Sequence, residues 1–528
     1  MKKFTLILLM LCAAITYTLA QANTRRLPSI INHPSFNLSA PYISLDGNAI
    51  LFISDDGEDG SLVVSYSSRE SDWIQPVILP KHVNHRITYL PGYALSADGK
   101  RVFFTAAKSP IIGGYDIMTS DLKGTTWSEP QNLGIPINSK TNDGSPSFTP
   151  DNSAIYFMRC EKMNQSLASG CAIFSSKKKP NGQWEEPIAL PASINTGNSQ
   201  TPRIMADGAT LIFSSDKIGA SKGGMDLFVT KLKDGNWADP IAMDFVNTAK
   251  NDQFVSVAAL GRYLIKETPG SRKTTELVEF LIPEAIRPRG VMKVEGSVKA
   301  SNNSPVPAYI AVTDVGSGKR VFSGRPNADG NYMFYLMEGA RYEMSVDPEQ
   351  NNMTYYSRQI DLTGEKILQK ERVNVILGLP VAGDELPLNL VEFKPATTEL
   401  KATSHSEIKR LMRIAKANPE LLFEIQVSMT GYRQDSLRSD PDLTEIRIDS
   451  VVSQLAHVDS LGVLTKRDTV FTKELFHNDR TANQAQAILD FIVKTGGDSR
   501  SFSYKTMAIP ASPPDERKVT VKAVARQR

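Results

Sequence analysis

The chain carries little of what catalysis or nucleic-acid binding would need. Among 528 residues there are six histidines, three cysteines and four tryptophans, and 60 Lys and Arg oppose 57 Asp and Glu for a formal charge of +3. So even a balance disfavours a nucleic-acid binder, which gathers positive charge on one face. With 41% apolar and 22% charged residues the chain is also too apolar for disorder. The histidines are scattered, and neither a His-Glu-x-x-His pair nor a Gly-x-Ser-x-Gly elbow occurs. His82-x-x-His85 reads as a solvated loop pair. Asp55-Asp56-Gly57-Glu58-Asp59 misses the alternate acidic positions of a calcium loop and reads as an acidic hairpin tip. We therefore expect no enzyme activity, no cofactor and no metal site. Beyond the first 15 residues no window approaches 18 consecutive apolar residues, so no transmembrane span is expected.

What is present begins with export. Met1-Lys2-Lys3 followed by the apolar run Phe4–Ile15 has the charged head and short greasy middle of a secretory signal, with Ala20-Gln21-Ala22 fitting the small-x-small cleavage rule. A signal peptide of 1–22 is expected, with a cut after Ala20 as the alternative. Its loss removes Lys2 and Lys3 and leaves 58 basic against 57 acidic side chains. Cys12 follows Leu11, where a lipoprotein signal needs a small residue, so no lipid anchor is expected. Export to the periplasm changes how the other cysteines read. Cys160 and Cys171 flank short strand-like runs, a hairpin would bring them opposite each other, and a disulfide is expected in an oxidising compartment, with two buried thiols as the alternative.

All four tryptophans share one frame: Trp73-Ile-Gln-Pro76, Trp127-Ser-Glu-Pro130, Trp184-Glu-Glu-Pro187 and Trp237-Ala-Asp-Pro240, spaced by 54, 57 and 53 residues. A turn and an apolar strand precede each, as in Asp46-Gly47 before Ile50-Leu51-Phe52 and Asp98-Gly99 before Val102-Phe103-Phe104. After the first three the chain runs Leu79 to Asn84, Leu133 to Asn138 and Leu190 to Asn195, with a shorter Met243 to Asn247 after the fourth. Leu27-Pro-Ser-Ile-Ile31-Asn32 repeats the frame at the mature amino terminus. It reads as an orphaned outer strand that pairs beside Leu277–Leu281 and closes a fifth blade. The Ser-x-Asp-Gly turns and Gly113-Gly114-Tyr115-Asp116-Ile117 resemble the WD40-like repeat of TolB-type propellers over about residues 27–285. The resemblance implies a TolB-like β-propeller at 23–285.

Pro283, Pro288 and Gly290 mark a boundary. Short alternating strands with Gly turns follow at Val294–Val298, Tyr309–Val312, Ala328–Tyr332 and Gly339–Met344. They resemble the carboxypeptidase regulatory-like domain, a non-catalytic transthyretin-like β-sandwich, here at 290–383. Gly316-Ser317-Gly318-Lys319 lacks Walker spacing and reads as a turn. From 384 to 528 the order becomes strand, helix (Glu407–Lys416), strand (Leu421–Val427), helix (about Ala482–Lys494) and a closing strand at Arg517–Val521. This resembles the α+β OmpA C-terminal-like domain, split by an insertion at 433–476.

That family grips the free carboxylate and amine of a peptidoglycan peptide with one acid and one arginine. Here Thr430 stands where the family has its Asp and Gln484 where it has its Arg, while Asn478 and Arg517 match family positions. A shifted register would bring Arg433 or Asp435 into the pocket instead. The whole resembles PorE-like envelope proteins of Bacteroidetes and type IX secretion components. It implies a multidomain, mainly β, non-enzymatic scaffold, periplasmic and outer-membrane-associated, whose partners are envelope proteins and, weakly, peptidoglycan. The alternative is a glycan-binding or hydrolytic propeller, which an acidic pair converging on the channel would favour.

Overall fold

The computed structural model describes residues 24–107, 111–219, 222–270, 274–364, 367–368, 370–394, 397–429, 445–458, 460–477, 480–506 and 517–526. The expected signal segment lies outside them. The chain forms two compact units, one built on residues up to Val294 with 334–339 and 364–371, the other on 295–333, 340–363 and 372–528.

Among the described residues the first unit contains five antiparallel sheets. The amino-terminal β1 (Thr24–Arg26) stands apart from the sheet that follows it, β2 (Leu38–Ile43), β3 (Ala49–Ser54), β4 (Val63–Ser68) and β5 (Val77–Ile78). The second sheet holds β6 (Tyr89–Leu95), β7 (Arg101–Ala106), β8 (Asp116–Lys123), β9 (Thr126–Trp127) and β10 (Gln131–Asn132). The third is β11 (Asn142–Phe148), β12 (Ala154–Met163), β13 (Ala168–Lys177) and β14 (Ile188–Ala189). In the fourth come β15 (Gln200–Ile204), β16 (Thr210–Ser215), β17 (Asp226–Lys233), β18 (Asn236–Trp237) and β19 (Ile241–Ala242). In the last, β20 (Ser256–Val257), β21 (Tyr263–Pro269) and β22 (Thr275–Leu281) are joined by β1, so the order is β1-β22-β21-β20.

An apolar core fills each gap between neighbouring sheets. Leu51 and Tyr66 meet Tyr93 and Phe104; Phe103 and Ile117 meet Ile155 and Phe157; Tyr156 and Ile173 meet Leu211 and Phe213. Ile212 and Val229 meet Val257 and Leu264, and Ile265 and Leu277 return to Ile50 and Phe52 of the first sheet. The sheets thus close on themselves in the arrangement of a β-propeller. Each large apolar side chain taken out of water there contributes about 1.5–3 kcal/mol.

One polar device repeats in all five sheets. An asparagine side chain accepts from the amide and donates to the carbonyl of one residue in the third strand: Asn84 on Val64, Asn138 on Ile117, Asn195 on Ile173 and Asn247 on Leu227. In the last sheet Asn32 clamps Leu277 in the same way. The frame Leu27…Asn32 is therefore equivalent to Leu79…Asn84, but its strand lies earlier than the sequence led us to expect. Pairing runs through Thr24, Arg25 and Arg26 against Phe280, Glu279 and Val278, and residues 27–32 form the loop that carries the clamp. The repeated Leu marks the end of the outer strand, where it drops into the core, and not the strand itself.

The Asp-Gly turns are built alike. Ser44 Oγ donates to Asp46, which accepts from Asn48 N, and Ser96, Asp98 and Lys100 repeat the pattern. Gly47, Gly99 and Gly208 all hold positive φ there, as the hairpin demands.

Two further sheets follow. One pairs β23 (Val291–Lys299) with β26 (Asn331–Met337), β29 (Lys370–Arg372) and β30 (Val375–Ile376); the other runs β25-β24-β27-β28 from Arg320–Gly324, Ala308–Asp314, Arg341–Pro348 and Tyr356–Asp361. Gly316–Lys319 is the turn between β24 and β25, with Gly318 N donating to Asp314 O. The carboxy-terminal sheet has the order β31-β36-β32-β35, from Glu385–Pro387, Arg517–Ala525, Leu421–Met429 and Phe502–Thr506. Helices α1 (Ser404–Ala417) and α2 (Arg480–Lys494) pack their apolar faces, Ile408, Leu411 and Ile414 with Ala485, Ile488 and Ile492, on Phe423, Ile425 and Val521. The segment read as an insertion contains a two-stranded hairpin, β33 (Glu445–Val458) and β34 (Leu464–His477), paired along its whole length.

Candidate functional site

The propeller carries a cleft of about 540 Å³, in the range of ligand sites. Glu58 and Leu62 reach it from the loop between β3 and β4, Ile78 from β5, Lys81 and His85 from the helical turn after it, and Gln165 from the tip of the β12–β13 hairpin. Leu62 and Ile78 are 54% and 42% exposed, an apolar pair facing water. Lys81 and Glu58 make an ion pair of 3.2 Å at the rim. Within the acidic tip Asp55 accepts from Asn37 N and Nδ2, both at 2.7 Å. Among the described residues no group of three acidic, His or Cys side chains could hold a metal. His82 departs from the solvated reading. It is half-buried, with Nε2 2.9 Å from Trp127 O, while exposed His85 lines the cleft.

Two buried carboxylates near the inner strands are already committed. Asp143 holds Arg159 Nε at 2.6 Å and the Ser139 amide and hydroxyl at 2.7 Å. Asp252 holds Lys266 and the Thr248 amide and hydroxyl in the corresponding way. The Asp143 carboxyl sits above its ordinary range because burial outweighs these donors. Glu267 is likewise pushed up by burial, and accepts from Ala40 N at 3.3 Å.

In the carboxy-terminal module the structure places two of the four expected ligand residues. Gln484 is wholly buried on α2, and its Nε2 donates to Thr397 O at 3.2 Å. Arg517 opens β36 and pairs in register with Met429, the residue before Thr430. Thr430 and Asn478, like the alternatives Arg433 and Asp435, lie outside the described residues. Cys160 and Cys171 stand directly opposite in β12 and β13 and are bonded.

Sequence reasoning missed a second buried cluster, where α1 meets β27 and β28. Glu407 accepts from the Ser357 hydroxyl and from Leu390 N. Arg410 Nε reaches both oxygens of Asp347, at 2.8 and 3.0 Å. Burial pushes the Glu407 carboxyl up to about 7, against the pull of those donors and of Arg410. On an amphipathic helix the only advance signal was Glu407 in a turn beside Ile408, on the apolar face.

No family model matches the chain, and no curated protein matches it. Among solved structures it is similar to a TolB from Agrobacterium tumefaciens at 16% identity, over 57% of this chain and 90% of that one, with a TM-score of 0.28. A thermostable family-43 glycoside hydrolase is similar at 12% identity over 48% and 92%, TM-score 0.32. The Bacillus subtilis arabinanase Arb43A is similar at 14% over 46% and 93%, TM-score 0.29. Likenesses of this size carry no argument about what the chain does.

Proposed function

We propose that this chain is a non-enzymatic scaffold of the bacterial envelope, exported to the periplasm and associated with the outer membrane. Its propeller is read as a five-bladed TolB-like ring that docks a partner protein. The sheets of 290–383 are read as a transthyretin-like, carboxypeptidase regulatory-like spacer, and 384–528 as an OmpA C-terminal-like module facing peptidoglycan or envelope proteins. A PorE-like place beside type IX secretion fits that order of domains.

The observation that carries the docking role is the 540 Å³ cleft, lined by exposed Leu62 and Ile78 together with the Lys81–Glu58 ion pair. Apolar anchors within a charged rim suit a protein segment. The hydrolytic reading needs a pair of free acids; Asp143 and Asp252 are each tied to a cation, which leaves Glu267, held by Ala40 N, as the acid that reading would use. Peptidoglycan binding is expected to be weak, because neutral Gln484 is buried and turned to Thr397 O.

A photo-crosslinking residue at Leu62 should give one discrete adduct in the envelope fraction, and the same residue at Ile241, exposed on the fourth sheet, should not. Identical adducts at both positions, or none at Leu62, would reject the docking role. Sedimentation with purified peptidoglycan tests the second module: strong retention of the native chain would contradict it.

A further inference from the structure

On the inner strands of the propeller lies Arg203, only 3% exposed. Its Nη1 donates to Pro202 O at 3.1 Å and its Nη2 to Tyr93 O at 3.4 Å. Both acceptors are neutral carbonyls. Nε has no acceptor among the described residues. The titratable groups that bear on the guanidinium are Tyr42, Tyr93 and Tyr89, while the carboxyl of Glu267 bears on Tyr93 and accepts from Ala40 N. Burial raises all three phenols above their ordinary range, so they remain neutral hydroxyls and cannot neutralise it.

The Tyr42 ring, 4.8 Å from the guanidinium carbon, offers a cation–π contact. Such a contact offsets only part of what burying an unpaired ion costs. Burial accordingly pushes the arginine below its ordinary pKa.

Beside Arg203 is a cavity of about 20 Å³, lined also by Tyr42, Thr149 and Ser256. A space of that size holds one water-sized species, for which about 10–15 Å³ suffices. A phosphate or a ligand carboxylate is too large. A water would satisfy the Nε hydrogen bond and leave the charge uncompensated. A monatomic anion does both.

We propose that this cavity is a structural halide site, in which a chloride ion pairs with Arg203 on the inner strands of the propeller. The anion would join the second and fourth sheets, which already meet through Arg203 and Tyr93 O, to the first and last through Tyr42 and Ser256.

The test uses the full chain. At constant ionic strength, melting is followed as sodium chloride replaces sodium gluconate, whose anion cannot enter the cavity. Above its dissociation constant, each tenfold rise in chloride should raise the folded-to-unfolded ratio by about tenfold, and bromide should substitute. Arg203→Gln should melt independently of halide. Should that variant not fold, anomalous scattering from native crystals grown in bromide decides: a peak against Arg203 Nε supports the site. A water there with no bromide peak overturns the proposal. A bromide peak without any halide dependence of melting also overturns it, since that marks an adventitious ion only.

Discussion

The propeller and the carboxy-terminal hairpin solve the problem of unsatisfied strands in opposite ways. In the ring, each sheet's third strand is clamped by an asparagine amide, each gap between sheets is filled by its own apolar core, and the amino-terminal strand supplies the one partner the last sheet lacks. Among the described residues the strands β33 and β34 pair only with each other, and apolar side chains stand in water: Val452 and Val470, opposite one another in the register, are each 61% exposed. The difference shows what repetition contributes. A repeated unit meets a copy of itself on either side, so one solution serves every gap, whereas the hairpin has no such copy beside it among the described residues, and two strands alone are marginal in water.

If closure is what stabilises the ring, removing residues 24–32 should do the greatest damage. We expect the propeller to lose its cooperative transition in urea; a deletion variant that melts like the parent would break the comparison. Next comes Asn138→Ala, which leaves the buried Ile117 amide without its acceptor, while Ile117 O keeps Leu133 N. For that one orphaned group a loss of about 1–3 kcal/mol should appear in urea titrations, with Asn195→Ala, more exposed, falling below it.

The second unit should differ in its response to pH. Folding raises the Glu407 carboxyl to about 7 from the 4.5 of a free side chain, so the folded state holds its proton more tightly. Its contribution is therefore fully present below about pH 4.5 and is lost as pH rises through 7, by at most about 3 kcal/mol. Melting of the second unit should fall over that window, and Glu407→Gln should flatten the curve; an unchanged slope in the variant would assign the effect elsewhere.

Reducing Cys160–Cys171, a bond spanning 11 positions, should cost the propeller about 2–3 kcal/mol by chain entropy. Parallel urea curves with and without reductant measure it. The smallest effect is expected from excising 445–477 and bridging the ends with a flexible linker: propeller melting should move by less than about 0.5 kcal/mol. A larger shift would mean that the hairpin is not a mere appendage.

Much of the ring was legible, because Trp-x-x-Pro and Leu…Asn recur at nearly constant spacing and only a repeating architecture does that. The misplacement of the closing strand has a physical cause. Thr24, Arg25 and Arg26 pair at an edge through polar side chains, Arg25 and Arg26 balanced by Glu279 and Glu276 and Arg25 stacked over Tyr263, and an exposed edge needs no apolar alternation. The hairpin was read only as an insertion for a related reason. With Val451 and Val452 both exposed, it has no wet and dry face to reveal a period of two. Arg203 and Glu407 escaped because what sets them apart is burial, which neighbours distant in sequence impose. The ligand positions in the carboxy-terminal module were named from resemblance. Of these, the wholly buried Gln484 and the register of Arg517 against Met429 are what the structure adds.

The clamp of Asn32 on Leu277 spans 245 positions. On the proposed export route the chain crosses a membrane amino end first and delivers Asn32 long before Leu277, so the ring would stay unlatched through almost the whole passage of the propeller. That delay keeps the chain threadable, and it also leaves a gap in the last sheet that the corresponding strand of a second molecule would fill equally well. Crowding at the exit site should therefore favour strand-exchanged dimers over monomers, with the fifth clamp then joining two molecules where it now joins the two ends of one ring.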